Sequence, residues 1–203
     1  MPKDNNFGHH QPQHMTPEQI TQFIQGGEWT SLTTEVRPSQ NKSASGDIQP
    51  FYCSRIFRYT QGNKFQCIVT NYADASGKLP LVKIDIKGHN VWRGEHPLAA
   101  GAYNLDYVAD EAYQVTPLHQ GFADAVNTVP ATGINKWQVG VMQNLLAKTF
   151  SPFGLKESEI YVDYDLIYIA HNMLFNGSKN VDGRAFDKPE NRPTNLQVPL
   201  VRL

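Results

Sequence analysis

The sequence predicts a mainly β fold, an antiparallel up-and-down barrel entered through a short amphipathic helix and carrying one further short helix. Three observations lead there. Apolar and polar residues alternate at period two through most of residues 29–108, as half-buried strands require. Stretches rich in Pro, Ser, Asn and Gly separate these segments, and only two segments show helical spacing. About eight antiparallel strands in succession favour closure, because a closed barrel has no exposed edge to promote aggregation.

The helix is marked by Thr16-Pro17-Glu18-Gln19, an N-cap followed by proline at the first helical position and a glutamine placed to close a capping box. Ile20, Phe23 and Ile24 share one face, and Gly26-Gly27 supplies the stop. Strands are expected at residues 29–37, 51–59, 64–72, 81–87, 90–93 and 102–108. The clearest is the alternation of Val82, Ile84 and Ile86 with Lys83, Asp85 and Lys87. Residues 38–47 and 74–78 read as loops by composition. Leu118, Phe122 and Val126 predict the second helix within 117–128. Residues 137–146 and 160–174 carry enough alternation for strands, with Asn176-Gly177 as a turn after the latter, and residues 189–203 read as a proline-interrupted wrap around the barrel.

At 203 residues the chain suits one barrel domain over residues 16–203, preceded by a flexible tail at 1–15. Apolar residues at 40% and charged residues at 18% supply a core without the excess charge of a disordered chain. The formal charge of -1, with no basic stripe, argues against a nucleic-acid binder. No window approaches the roughly 20 apolar residues of a transmembrane helix. Residues 1–13 lack the apolar stretch of a secretory signal, so a cytoplasmic protein is expected, or a secreted one whose signal has been removed. Cys53 and Cys67 flank the turn signal Gln61-Gly62-Asn63 off-centre, which displaces them diagonally or onto opposite faces and predicts free thiols. Asn41-Lys42-Ser43 and Asn176-Gly177-Ser178 match the glycosylation acceptor pattern, which matters only in a secreted protein.

The capped helix followed by Gly27-Glu28-Trp29 resembles the opening of lipocalin-like (calycin) barrels. In such barrels the tryptophan plugs the closed end and an arginine from the last segment lies across its ring, so the resemblance implies Arg202 in that place, or else Arg192. A longer series extends the likeness. Residues 29–38, Ser54-Arg55-Ile56-Phe57-Arg58-Tyr59, Asn63-Lys64-Phe65, Asn71-Tyr72, Lys87-Gly88, Trp92, His119, Ala123, Val126-Asn127, Leu174-Phe175-Asn176-Gly177 and Gln197-Val198-Pro199-Leu200 resemble the barrel domain of the Wnt antagonist family named for down-regulation by adenomatosis polyposis coli. Members of that family are extracellular, with two such domains and a membrane anchor, and hold lipid moieties of signalling proteins. This chain has the length of one domain, no anchor segment, and Thr34 where the family's strand carries a cysteine. The departures argue against Wnt binding, and the resemblance implies a barrel whose interior accommodates a ligand.

If Trp29 points inward, period two carries Ser31, Thr33, Glu35 and Arg37 inward with it, a polar lining in which charges must be paired or meet a ligand. Arg55 or Arg58 on the next strand would add positive charge. The alternative is a bulge that turns Leu32 and Val36 inward and leaves the charges in solvent. Phe57, Tyr59, Phe65, Tyr72, Trp92, Tyr103 and Tyr107 would serve as pocket walls or simply as core. The ligand-binding candidates are therefore Arg37, Arg55, Arg58, Tyr59, Trp92 and Tyr103.

No nucleophile elbow, phosphate loop or dinucleotide fingerprint is present, and no organic cofactor is implied. The seven histidines show no zinc spacing; only a site assembled in three dimensions from His119, His171 and Glu35 would hold a metal. His119, at a helix start, and Glu35 are the candidates for proton transfer. Asp163 and Asp165 share a strand face, where they could be paired carboxylates or a solvated edge. The expected function is a soluble barrel binding a small amphipathic or hydrophobic ligand. The alternative is an isomerase, cyclase or lyase on the same barrel, either independent of a cofactor or using a metal.

Overall fold

Helix α1 (Pro17–Ile24) begins at the Thr16 signal: Gln19 N donates to Thr16 Oγ1 at 3.3 Å, and Thr16 N donates to Gln19 Oε1 at 2.8 Å. The computed structural model describes residues 14–203, so the tail expected at the N-terminus lies mostly outside the described residues. Met15, counted with that tail, packs against the core instead. Ile20 and Ile24 are buried, which docks this short helix over one end of the sheet.

The strands are β1 (Glu28–Ser31), β2 (Glu35–Lys42), β3 (Ile48–Thr60), β4 (Lys64–Tyr72), β5 (Pro80–Glu95), β6 (Tyr103–Pro117), β7 (Gln143–Asn144), β8 (Tyr161–Ala170), β9 (Met173–Asn176) and β10 (Leu200–Arg202). All pairings are antiparallel and run in chain order from β3 through β6 to β8, β9 and β10. Strand β10 pairs with β1, and β1 pairs with β3, so the sheet closes in a ring. It is an up-and-down barrel, and closure satisfies the backbone of what would otherwise be its edges.

One end is shut. Trp29, with no exposed surface, donates its Nε1–H to Ile24 O at 2.9 Å. The Arg202 guanidinium lies 5.2 Å from the Trp29 ring centre and 5.6 Å from that of Phe23, and its Nη2 donates to Phe23 O and Gln25 O at 2.7 Å each. Those carbonyls end α1 and have no helical partner, so Arg202 stacks on the plug and caps the helix together. Gly27 makes room for it: a Cβ there would stand 2.7 Å from Arg202 Nε.

Between Thr30 and Glu35 the register against β3 slips by two residues. An even slip preserves the alternation of faces, so Glu35 and Arg37 continue the inward line of Trp29 and Ser31. Leu32 and Val36 are 56% and 58% exposed, the reverse of the one-residue bulge considered above. Thr33 falls inside the interruption and is exposed. A second slip joins two expected strands into β5. Around Gly88 the pairing passes from Lys87↔Ala112 to His89↔Val108, and the Gly88 backbone presses so close to β6 that a Cβ would stand 1.8 Å from Val108 O.

Several expectations are corrected. Residues 38–42 belong to β2 rather than a loop, and β6 continues to Pro117. Residues 137–146 contribute only β7, because Trp137 and Leu145 bury themselves under helix α2 (Gln120–Asn127) with Val82 and Val115 instead of alternating. Residues 160–174 form a hairpin, not one strand: His171 and Asn172, at φ 50° and 59°, make its turn, and Asn176 is a buried strand residue. Full burial denies Asn176 any role as a glycosylation acceptor. Residues 189–199 do wrap the barrel, but 200–202 enter the sheet and complete the ring.

Cys53 and Cys67 are free and buried; Cys53 pairs with Asn71 and Cys67 with Phe57, four residues apart along β4. Among the described residues no helix is long and apolar enough to cross a membrane. Substituting Gly88→Ala should destabilise the barrel by about 2 kcal/mol or more, since the methyl group meets backbone that cannot rotate away. Urea unfolding of the two proteins checks it, and equal midpoints would contradict the packing described.

Candidate functional site

The half of the barrel nearest α1 is filled by its own side chains. Trp29, Phe57, Tyr59, Phe65, Tyr107 and Leu174 are all 5% exposed or less, and the Phe57 and Phe65 rings pack on Tyr107 at 5.6 and 5.0 Å. Beyond this plug the interior turns polar. Strands β2, β3 and β8 direct Glu35, Arg37, Arg55, Asp163 and Asp165 toward it by alternation, and Lys179 reaches it from the segment after β9.

Glu35 is the centre of this group, with its side chain only 1% exposed. Its Oε1 accepts from Arg55 Nε at 2.9 Å and from Ser31 Oγ at 2.6 Å; its Oε2 accepts from Arg37 Nε at 2.9 Å. Burial pushes the Glu35 carboxyl up, but Arg55, Arg37 and Ser31 outweigh burial and hold it below the usual carboxylate value. A polar chain runs on through the barrel. Arg55 Nη1 donates to Asn176 Oδ1 at 3.1 Å, Asn176 Nδ2 donates to Tyr107 Oη at 3.0 Å, and the Tyr107 and Tyr59 hydroxyls are 2.9 Å apart.

Among the described residues two buried arginine donors have no hydrogen-bond acceptor. Arg55 Nη2 has none at all, and Arg37 Nη2 lies 2.8 Å from Glu35 Oε2 without the alignment a hydrogen bond needs, that oxygen being taken by Nε. Across the pair on β4, buried Asn71 Oδ1 likewise has no donor. An unmet buried donor costs on the order of 1–3 kcal/mol and more on a charged group, so two of them in one ionic cluster demand an explanation.

Facing the arginines, Asp165 accepts from Leu166 N at 2.7 Å and Gly177 N at 2.8 Å through Oδ1. Burial, and then the neighbouring Asp163, push its carboxyl up; burial likewise pushes Asp163 up, against the pull of Lys179, Arg37 and Arg55. Burial also lowers Lys179, whose Nζ lies 5.9 Å from the ring centres of Phe51 and Phe186. Behind the sheet, buried Asp106 is bridged by Arg93 at 2.7 Å and Arg192 at 2.6 Å, which straps the C-terminal wrap to β6. Arg192 stacks over Tyr164, not Trp29.

Of the residues singled out from sequence, Glu35, Arg37 and Arg55 meet in this group, and Tyr59 joins it through Tyr107 and Asn176. Arg58 does not: three residues beyond Arg55 on β3, it faces outward and pairs with Glu28 at 2.9 Å. Trp92 and Tyr103 stack edge to face at 5.8 Å beside α1, at the shut end. Tyr72 also faces out, 2.9 Å from Ser54 Oγ. His119 is the N-cap of α2, with Nδ1 accepting from Gly121 N at 3.1 Å, so its ring is spent on the helix rather than aimed at the interior. His171 sits in the β8–β9 turn, beyond the opposite end of β6 from His119, so His119, His171 and Glu35 do not converge. Asp163, Asp165, Asn71, Asn176 and Lys179 were not identified as interior polar residues. The shared face of the two aspartates was the one available signal.

A cavity of about 100 Å³ lies elsewhere, between the segment 154–160 and β8; it is too small for a drug-sized ligand. No protein-family model matches the chain.

Two outcomes follow from this electrostatic arrangement. Glu35→Gln leaves two buried guanidinium groups without their anion and should cost about 3 kcal/mol, as for other broken buried pairs. The second concerns pH. A carboxyl raised on folding favours its neutral form there, so its contribution to stability falls as pH climbs from the ordinary carboxylate value through the raised folded value. Asp165→Asn keeps the Oδ1 acceptor and removes that loss, so the variant should be the more stable protein near pH 8 and lose its advantage toward about pH 4. Thermal unfolding across pH checks both.

Proposed function

We propose that the chain is a binding protein for a small amphipathic acid, whose anionic head meets Arg37 and Arg55 in the polar half of the barrel. One observation carries this reading: in one ionic cluster Arg55 Nη2 is buried without an acceptor, and buried Arg37 Nη2 has only a misaligned contact with Glu35 Oε2, an oxygen already taken by Arg37 Nε. A carboxylate is the natural complement, because a guanidinium presents paired donors in the geometry of its two oxygens. Phe51 and Phe186 beside Lys179 offer apolar contact for the body of the ligand. The reading accords with the ligand-accommodating interior implied by the likeness to lipocalin-like barrels. The filled half beside α1 limits it to ligands that lie toward the polar half.

A second reading rests on Asp163 and Asp165. Two neighbouring carboxyls, both pushed up by burial, are suited to moving a proton, so an isomerase, cyclase or lyase on this barrel would use them. Glu35, held ionised by two arginines, and His119, occupied as a cap, are poorly placed for that work.

Decanoate is a suitable probe for the first reading. At a hundred times its Kd a ligand raises stability by about 2.7 kcal/mol, and thermal unfolding should register this as a concentration-dependent rise in Tm. Arg37→Met should abolish the rise, whereas Arg58→Met should not. No shift with decanoate, or an equal shift in both variants, contradicts the binding reading.

A further inference from the structure

We propose that the interior takes up its anionic ligand together with one proton, the anion lying against Arg37 and Arg55 and the proton lodging on the Asp163–Asp165 pair. The inference rests on the binding reading above and adds the coupling.

Above about pH 7, where Asp163 and Asp165 are both ionised, the charges in the polar half balance without a ligand. Three cations, Arg37, Arg55 and Lys179, face three carboxylates, Glu35, Asp163 and Asp165. Adding one anion leaves a net negative charge in a region screened from water, where unbalanced charge is costly. Relief has to come from a proton, and the carboxylates differ sharply in their capacity to accept one. Both Glu35 oxygens are committed to Arg55, Arg37 and Ser31. Asp163 accepts no hydrogen bond from the described residues and has no ion pair within 4 Å. Asp165 spends only Oδ1, on Leu166 N and Gly177 N. The aspartate pair is thus the one place in the cluster where carboxylate oxygens stand free and adjacent in sequence alternation on β8.

The other groups that face the pair do not compete for the proton. Tyr59, Cys67, Tyr107, Tyr113 and Tyr161 are all pushed up by burial and stay neutral. Arg192, on the outer wrap, is committed to Asp106 and to the Asp165 carbonyl, and Asp187, which lies toward both Tyr161 and Lys179, is exposed to solvent. Lys179 is the one other group that could answer a change in pH, and its burial disposes it to lose a proton rather than gain one. An incoming anion opposes that loss, which again links binding to protons held by the protein.

By linkage, a ligand that brings a proton into the protein binds more tightly as pH falls, by up to about tenfold per pH unit for one proton. Calorimetry with decanoate separates the possibilities. Between about pH 7.5 and 8.5, above the raised Asp165 value of about 7, the pair starts ionised and a free fatty acid stays ionised too, so a proton taken up from solution has to come to the complex. Titrations in two buffers of different ionisation heat should give uptake of about one proton, with affinity rising toward the lower pH. In the Asp163→Asn/Asp165→Asn protein the affinity should be flat with pH and the uptake gone; the single Asp163→Asn variant, which leaves the backbone bonds of Asp165 in place, should show a reduced uptake. Binding without proton uptake overturns the coupling and leaves the binding reading intact. Uptake that survives in the double variant also overturns it, since the proton would then lodge on Lys179 or on the ligand rather than on the aspartates. Absence of any decanoate binding overturns both.

Discussion

The polar interior depends on Glu35 being held between Arg55 and Arg37. A carboxylate 1% exposed is tolerable only with its oxygens fully engaged, and here Arg55 Nε, Arg37 Nε and the Ser31 hydroxyl engage them from strands on both sides of a β interruption. That places a demand on the backbone. Ser31 and Glu35 must both face inward although the chain breaks strand geometry between them, and only an even slip against β3 allows it. The exposed Leu32 and Val36 are the cost of this arrangement: two apolar side chains stand in water so that three ionic ones can stand inside.

The two ends of the barrel divide the labour. At the shut end Trp29, α1 and Arg202 form a plug that joins the chain's first strand, first helix and last strand in one contact. Aromatic packing fills the space above it up to Tyr107. The Tyr59–Tyr107–Asn176–Arg55 chain then carries hydrogen bonding from the packed half into the charged half, so Arg55 is oriented from below as well as by Glu35. Both Nη2 atoms are buried rather than exposed to solvent.

Much of this was legible in the residues. Thr16 and Gln19 announced α1, Lys64 and Tyr72 bounded β4 as expected, and the inward line through Trp29, Glu35 and Arg37 followed from period two. Two registers fit the residues of β1 and β2, because a slip is a property of the partner strand and β3 carries no mark of it. The interior role of Asp163 and Asp165 was hidden for a related reason. An aspartate on an alternating strand reads the same whether its face meets water or the inside of a closed ring, and closure depends on Leu200, Val201 and Arg202, far along the chain. His171-Asn172 misled through turn chemistry: two non-glycine residues at positive φ close the hairpin, while the stronger signal Asn176-Gly177 lies buried beside it. Residues 137–146 misled because burial under a helix can imitate alternation.

The central claim is that the guanidinium groups of Arg37 and Arg55 present unmet donors to a ligand inside the barrel. Side-chain nitrogen NMR of the arginines during a decanoate titration addresses it directly. The account predicts saturable shifts of the Arg37 and Arg55 signals with a common affinity, while outward-facing Arg58 and the Arg202 stack stay unmoved. Shifts confined to Arg58 and other surface arginines, with Arg37 and Arg55 silent, would contradict it.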